Sequence, residues 1–116
     1  MATPLIDYYY SLDQEGKTEL DKQYEEWATY LPCYISGSEN VGKPHHIRLA
    51  GHCGTSKKPP DIFEMPITND LHVEIHTQGV KTFEKKYGVD FIDIVTELNA
   101  QFCMEKGMDL WINIET

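Results

Sequence analysis

All five histidines of this 116-residue chain fall between positions 45 and 76. The segments that carry them read, in order, as strand, long loop, strand and helix. "HHIRLA" (45–50) is the first strand, and "DIFEMPI" (61–67) is the second. Between them, "GHCGTSKKPP" (51–60) holds two glycines and two prolines and reads as a loop. Thr68 or Asn69 is a plausible N-cap for a helix from Asp70 to Gln78, with Gly79 as its stop. A chain ordered this way has to pack a two-stranded unit against a helix.

The flanks supply the cover. Residues 18–30, "TELDKQYEEWATY", place Leu20, Tyr24 and Trp27 at helical spacing, and Pro32 ends that element. "CYIS" (33–36) reads as a short strand and "GSENVGK" (37–43) as turn material. "VKTFEKKYG" (80–88) is a short helix with Val80, Phe83 and Tyr87 on one side. "VDFIDIVTELNAQFCMEK" (89–106) is the clearest helix, with Phe91, Ile92, Val95, Leu98 and Phe102 as its apolar stripe. The tail "GMDLWINIET" reads as an edge strand. The expected class is therefore α+β in a single domain over 1–116, which is long enough for one core. The apolar runs are too short to span a bilayer, so no membrane partner is expected. "MATPLIDYYYSLDQEG" lacks the features of a signal peptide, and the three cysteines are an odd number, so reduced thiols in a cytosol are expected.

A net charge of −9 argues against attachment to nucleic acid by the whole surface. The charge is uneven, however. Residues 41–60 carry Lys43, Arg48, Lys57 and Lys58 and no acid, whereas residues 13–26 carry six acids against Lys17 and Lys22. The basic stretch reads as an anion site or as a solvated loop, and charge alone does not separate the two. Tyr8 to Tyr10 read as packing or subunit-contact residues rather than as a base-stacking platform, and Cys103 as a small core hydrophobe.

His72 and His76 lie four residues apart, so both imidazoles project from one helix face, a standard geometry for two ligands to one metal. Glu74 sits midway between them, which fails the zinc-protease pattern. With His45 turned toward this face, three imidazoles come from a strand and a helix. His46 then points to the other side of its strand, free to act on a water. A metal that binds a phosphate oxygen, with a neutral histidine as base, suffices for phosphodiester hydrolysis. Arg48 suits a phosphate because guanidinium binds oxyanions bidentately.

"HHIR", "GTSKKPPD", "MPI" and "HVEIH" in that order resemble the HNH, or ββα-metal (His-Me finger), nuclease superfamily. The stretch 33–88 resembles phage and prophage recombination-associated members of the recombination enhancement type. The resemblance implies a ββα-metal core (strand 45–50, strand 61–67, helix 69–78) wrapped by helices at 18–30 and 89–106. It implies a DNA endonuclease leaving a 5′-phosphate, with His45, His72 and His76 as metal ligands and His46 as general base. Asp61 would do the orienting work of the family's middle asparagine on the loop, or that position is purely structural, and Lys43, Arg48, Lys57 and Lys58 would meet DNA. The implied cofactor is a divalent metal: Mg2+ or Mn2+ for activity, with Zn2+ or Ni2+ as other occupants. A host or phage recombination protein in the cytoplasm of a bacterial host is the implied partner. Three departures stand out. Phe63 occupies the place of the family's middle asparagine. Ser36 replaces the second cysteine of a Cys-x-x-Cys pair, leaving Cys33 and Cys53 as the residues for any structural zinc. The acidic balance implies weak DNA affinity or delivery by a partner. His52 has no slot in the motif and reads as structural or as a phosphate contact.

Two readings of other classes compete. One is a non-catalytic module that a metal stabilises, against which His46 argues because a structural site has no use for a free base. The other is an interaction factor that mimics nucleic acid through its acidic helix, which leaves the histidines unexplained.

Overall fold

The computed structural model describes residues 3–39, 41–46 and 64–108. Five helices and two short strands follow one another as α1 (Pro4–Ser11), α2 (Gln14–Thr29), β1 (His45–His46), β2 (Glu64–Met65), α3 (Asn69–Gln78), α4 (Val80–Tyr87) and α5 (Phe91–Glu105). The class is α+β, mostly helical, with the strands paired as one antiparallel ladder. Among the described residues no helix is long and apolar enough to cross a membrane. The segments expected to complete the strands, 47–50 and 61–63, lie outside the described residues, as do the loop 51–60 and the tail from 109.

Side-chain caps set most helix starts. The Thr68 hydroxyl accepts from the Leu71 N–H at 3.2 Å, which orders the first turn of α3 at the expected place. Gly79, at φ 88°, stops α3, and its N–H returns to the Ile75 carbonyl. A residue with a Cβ is strained at that φ. Asp13 accepts from Gly16 N–H at 2.8 Å, so α2 begins at Gln14 instead of residue 18. α1 had no counterpart in the sequence reading. It starts because Thr3 caps it and Pro4, with its fixed φ, occupies the first turn.

Two expected strand assignments need correction. "CYIS" is a turn: Gly37 at φ 76° closes it, and the Gly37 N–H donates to the Cys33 carbonyl at 2.9 Å. β2 ends at Met65 rather than Ile67, because Pro66 has no N–H to continue the ladder. The Pro66 carbonyl instead accepts from Tyr34 N–H at 2.8 Å.

α5 is the spine of the core. Phe91, Ile94, Val95, Leu98 and Phe102 are buried on it, whereas Ile92, expected in the stripe, is exposed. Ile94 takes that place because a 3.6-residue period puts 91, 94, 95, 98 and 102 on one face. Phe102 packs against the Tyr24 ring at 4.9 Å and the Trp27 ring at 5.3 Å, tying α5 to α2. Cys103 is buried beside them as expected, and burial pushes its thiol pKa up to about 11. One polar residue interrupts the apolar face. Asn99 accepts from the Thr3 hydroxyl at 2.8 Å and donates to the Tyr24 hydroxyl at 3.1 Å. Tyr9, the inward member of the tyrosine triplet, donates to Asp21 Oδ2 at 2.9 Å.

The sheet positions the site. His45 pairs with Met65, and His46 pairs with Glu64. Residues directly opposite in an antiparallel pair share a face, and neighbours along a strand alternate. His45 and Met65 therefore occupy one face, and His46 and Glu64 the other.

Candidate functional site

Three of the four described histidines meet where β1 lies against α3. His72 and His76 stand on successive turns of α3 with their Nε2 atoms 2.9 Å apart and their rings edge to face. Two imidazole nitrogens that close must be a donor and an acceptor, or both must point lone pairs at one electrophile. The His45 ring lies flat on His72, with centroids 3.8 Å apart and planes 20° from parallel. Glu74 faces elsewhere: its carboxylate accepts from Lys86 Nζ at 3.0 Å and from the Tyr87 hydroxyl at 2.9 Å, binding α3 to α4.

The fit of this cluster to a metal ion is partial. Metal–nitrogen bonds of ~2.0–2.1 Å in tetrahedral geometry place two ligand nitrogens ~3.3 Å apart, and the His72–His76 spacing of 2.9 Å lies close to that. His45 does not converge with them in this arrangement, because lone pairs lie in the ring plane and its plane is stacked on His72. Among the described residues no group of three or more His, Cys, Asp or Glu is arranged to hold an ion.

Electrostatics favours neutral rings here. Desolvation, then the neighbouring His76 and His46, hold the His45 pKa below the usual imidazole value. Desolvation, then His45 and His76, do the same to His72. Unfolded, both titrate near ~6.5. A folded-state pKa below the unfolded one means that the unfolded chain binds more protons as pH falls. This contribution to stability is therefore complete above ~6.5 and is lost progressively below it, as pH falls toward the folded-state values. Urea unfolding of metal-free protein between pH 8 and pH 5 is expected to show that loss, and His45→Gln is expected to reduce it. An equal pH dependence in parent and variant would remove His45 as a source.

On the opposite sheet face, the Nε2 of His46 lies 4.0 Å from Glu64 Oε1. The Glu64 side chain is only 2% exposed and that of His46 is 25% exposed, so the carboxylate sits behind the ring. Sequence reasoning missed Glu64. Its signal was present, since it is the only charged residue between Ile62 and Ile67 in "DIFEMPI". Lys43, expected to meet DNA, is ion-paired with Glu25 of α2 at 3.5 Å and is largely exposed. Arg48, Lys57, Lys58 and Asp61 lie outside the described residues, as do His52, Cys53 and Phe63. Cys33 is described and buried. Its sulfur accepts the Ser36 N–H at 3.3 Å. Burial opposes ionisation of this thiol, but donors from Ser36, Thr68 and Ile35 outweigh it and hold the pKa below the ordinary cysteine value.

A model of the family described as "Protein of unknown function (DUF968)" matches residues 14–104, and the chain belongs to that family. The match takes in α2 through nearly all of α5, including the four histidines just described. Among curated proteins, the chain is 36% identical over 67 residues to "Uncharacterized protein YdfU" of Escherichia coli (strain K12). That alignment covers 58% of this chain and 19% of the relative, so the chain spans under a fifth of the relative's length. No solved structure matches the chain significantly.

Proposed function

We propose that this protein is a metal-dependent endonuclease of the HNH type that hydrolyses DNA phosphodiester bonds. The observation that carries the reading is the meeting of His45 from β1 with His72 and His76 from α3, while His46 faces the other side of the same strand. The order β1, β2, α3 supports the reading, since it is the order that a ββα-metal core would require. His72 and His76 would hold the ion, with His45 turning in as third ligand. When bound, a divalent ion would neutralise charge on a phosphate oxygen and on the departing 3′ oxygen.

The chain's own residues do the rest. His46, part-exposed and with one nitrogen directed at Glu64, accepts a proton from water through the other. In the neutral state an imidazole carries one acceptor nitrogen, and depositing the proton there makes water a nucleophile as it reaches phosphorus. Arg48, Lys57 and Lys58 would attract the DNA backbone, offsetting the repulsion of a chain with net charge −9. Phage or prophage recombination is the setting that the motif order suggests.

A plasmid-nicking assay with Mg2+, Mn2+, Ni2+ and Zn2+, each with and without chelator, tests the reading. Metal-dependent nicks that a ligase reseals are the expected result, since a 5′-phosphate is ligatable. The His72→Ala, His76→Ala double variant is expected to lose metal binding, nicking and the rise in unfolding temperature on metal addition together. A parent chain that cuts no DNA with any metal would sink the nuclease. If metal still raised its unfolding temperature, the metal-stabilised, non-catalytic module would replace it.

A further inference from the structure

Glu64 is the least expected residue in the sheet. A carboxylate at 2% exposure forfeits hydration, and such a group persists where protein donors or a cationic partner take the place of water. Its position is tightly specified. Register sets it directly across the ladder from His46, and residues paired this way keep their side chains adjacent. The helices α2 and α5 both pack on β2, and they close the space behind it with Tyr24 and Asn99, both buried. Asn99 is itself pinned by Thr3 on one side and Tyr24 on the other, and the charge of Glu64 is felt at the Tyr24 hydroxyl. Among the described residues the carboxylate thus has buried polar groups of α2 and α5 near it and the His46 ring across the ladder.

We propose that Glu64 is the positioning residue of His46, accepting the Nε2–H of its ring so that Nδ1 is the nitrogen left to take a proton. This rests on the reading of His46 as general base and adds the group that orients it. A neutral imidazole exists as either of two tautomers, and a carboxylate can only accept, so a carboxylate facing Nε2 selects the Nε2–H form. At 4.0 Å the pair is longer than a direct hydrogen bond, and contact needs a small side-chain rotation or one bridging water. Both fit a part-exposed His46 side chain set against an enclosed Glu64. Nδ1 would then be the acceptor nitrogen of the ring.

The test reads the tautomer itself. Long-range 1H–15N correlation of 15N-histidine protein, metal-free and at a fixed pH of 8, distinguishes the two forms, with His46 assigned by its absence in His46→Gln. The parent is expected to show the Nε2–H form at His46. Glu64→Gln, which keeps the shape but offers a donor as well as an acceptor, is expected to show a mixture of forms. It is also expected to lose ~10–100-fold in kcat with KM little changed, the range for groups that orient an imidazole. An Nδ1–H form in the parent overturns the proposal outright, even if Glu64→Gln does not fold. An unchanged tautomer in a folded Glu64→Gln overturns it as well. If the parent cuts no DNA but the tautomer still depends on Glu64, the nuclease reading fails while the positioning of His46 by Glu64 stands.

Discussion

His46→Ala is expected to nick DNA ~10²–10⁴-fold more slowly than the parent chain at equal metal content, the usual worth of one positioned proton acceptor. The expectation rests on the separation of His46 from the stacked cluster. His45 lies on His72, and His72 touches His76, whereas His46 pairs across the sheet with Glu64. Removing His46 therefore takes away the proposed base without removing a ring from the cluster. Its side chain is 25% exposed, so water fills the space and the cavity cost is small. Metal affinity and unfolding temperature should then stay near those of the parent, while the cleavage rate falls. His46→Gln serves as a second variant, keeping a polar side chain over Glu64 without a titratable ring. Cleavage by both variants at the parental rate, with metal bound, would discard His46 as the base.

Phe102→Ala is expected to cost ~3–5 kcal/mol of folding stability, the range for truncating a fully buried aromatic. Phe102 has no exposed surface and stands against both Tyr24 and Trp27 of α2. Its loss opens a cavity between the two longest helices and removes two aromatic contacts at once. Set against a domain stability of ~5–15 kcal/mol, such a loss leaves a large unfolded fraction at elevated temperature. Urea unfolding monitored by far-UV circular dichroism reads it. Tyr30→Ala is the control: Tyr30 is 88% exposed, and its truncation is expected to change stability by no more than ~0.5 kcal/mol. Similar midpoints for the two variants would mean that α5 and α2 are not joined through this contact.

The two effects act on different levels of the molecule. Phe102 sits in the α2–α5 layer that packs on β2, whereas His46 lies on β1, across the ladder from Glu64. A variant that loosens the layer should lower activity only as far as it lowers the folded fraction. His46→Ala should lower activity in a fully folded chain.

Local signals in the chain determined the helices of the site and the faces they turn. Thr68 and Gly79 bracket α3 because a hydroxyl at the N-cap and a glycine at the stop meet backbone needs that do not depend on the rest of the fold. The four-residue interval between His72 and His76 put both rings on one face for the same reason, helical geometry being local. α2 and α5 were legible from their apolar periodicity, although the cap at Asp13 moved the start of α2 and the choice of Ile94 over Ile92 waited on which side met the sheet. Other features depended on contacts between distant segments. "CYIS" has the composition of a strand, but no partner strand pairs with it among the described residues; Gly37 folds it into a turn instead. α1 starts at a local cap, Thr3 followed by Pro4, but Thr3 also ties it to Asn99 of α5, 96 positions away, a contact invisible to any window of sequence. The stacking of His45 on His72 and the placement of Glu64 behind His46 were likewise decided by strand register. Pairing His45 with Met65 and His46 with Glu64 fixes which histidine joins the cluster and which one faces the buried carboxylate. A slip of one residue would exchange their faces, because side chains alternate along a strand.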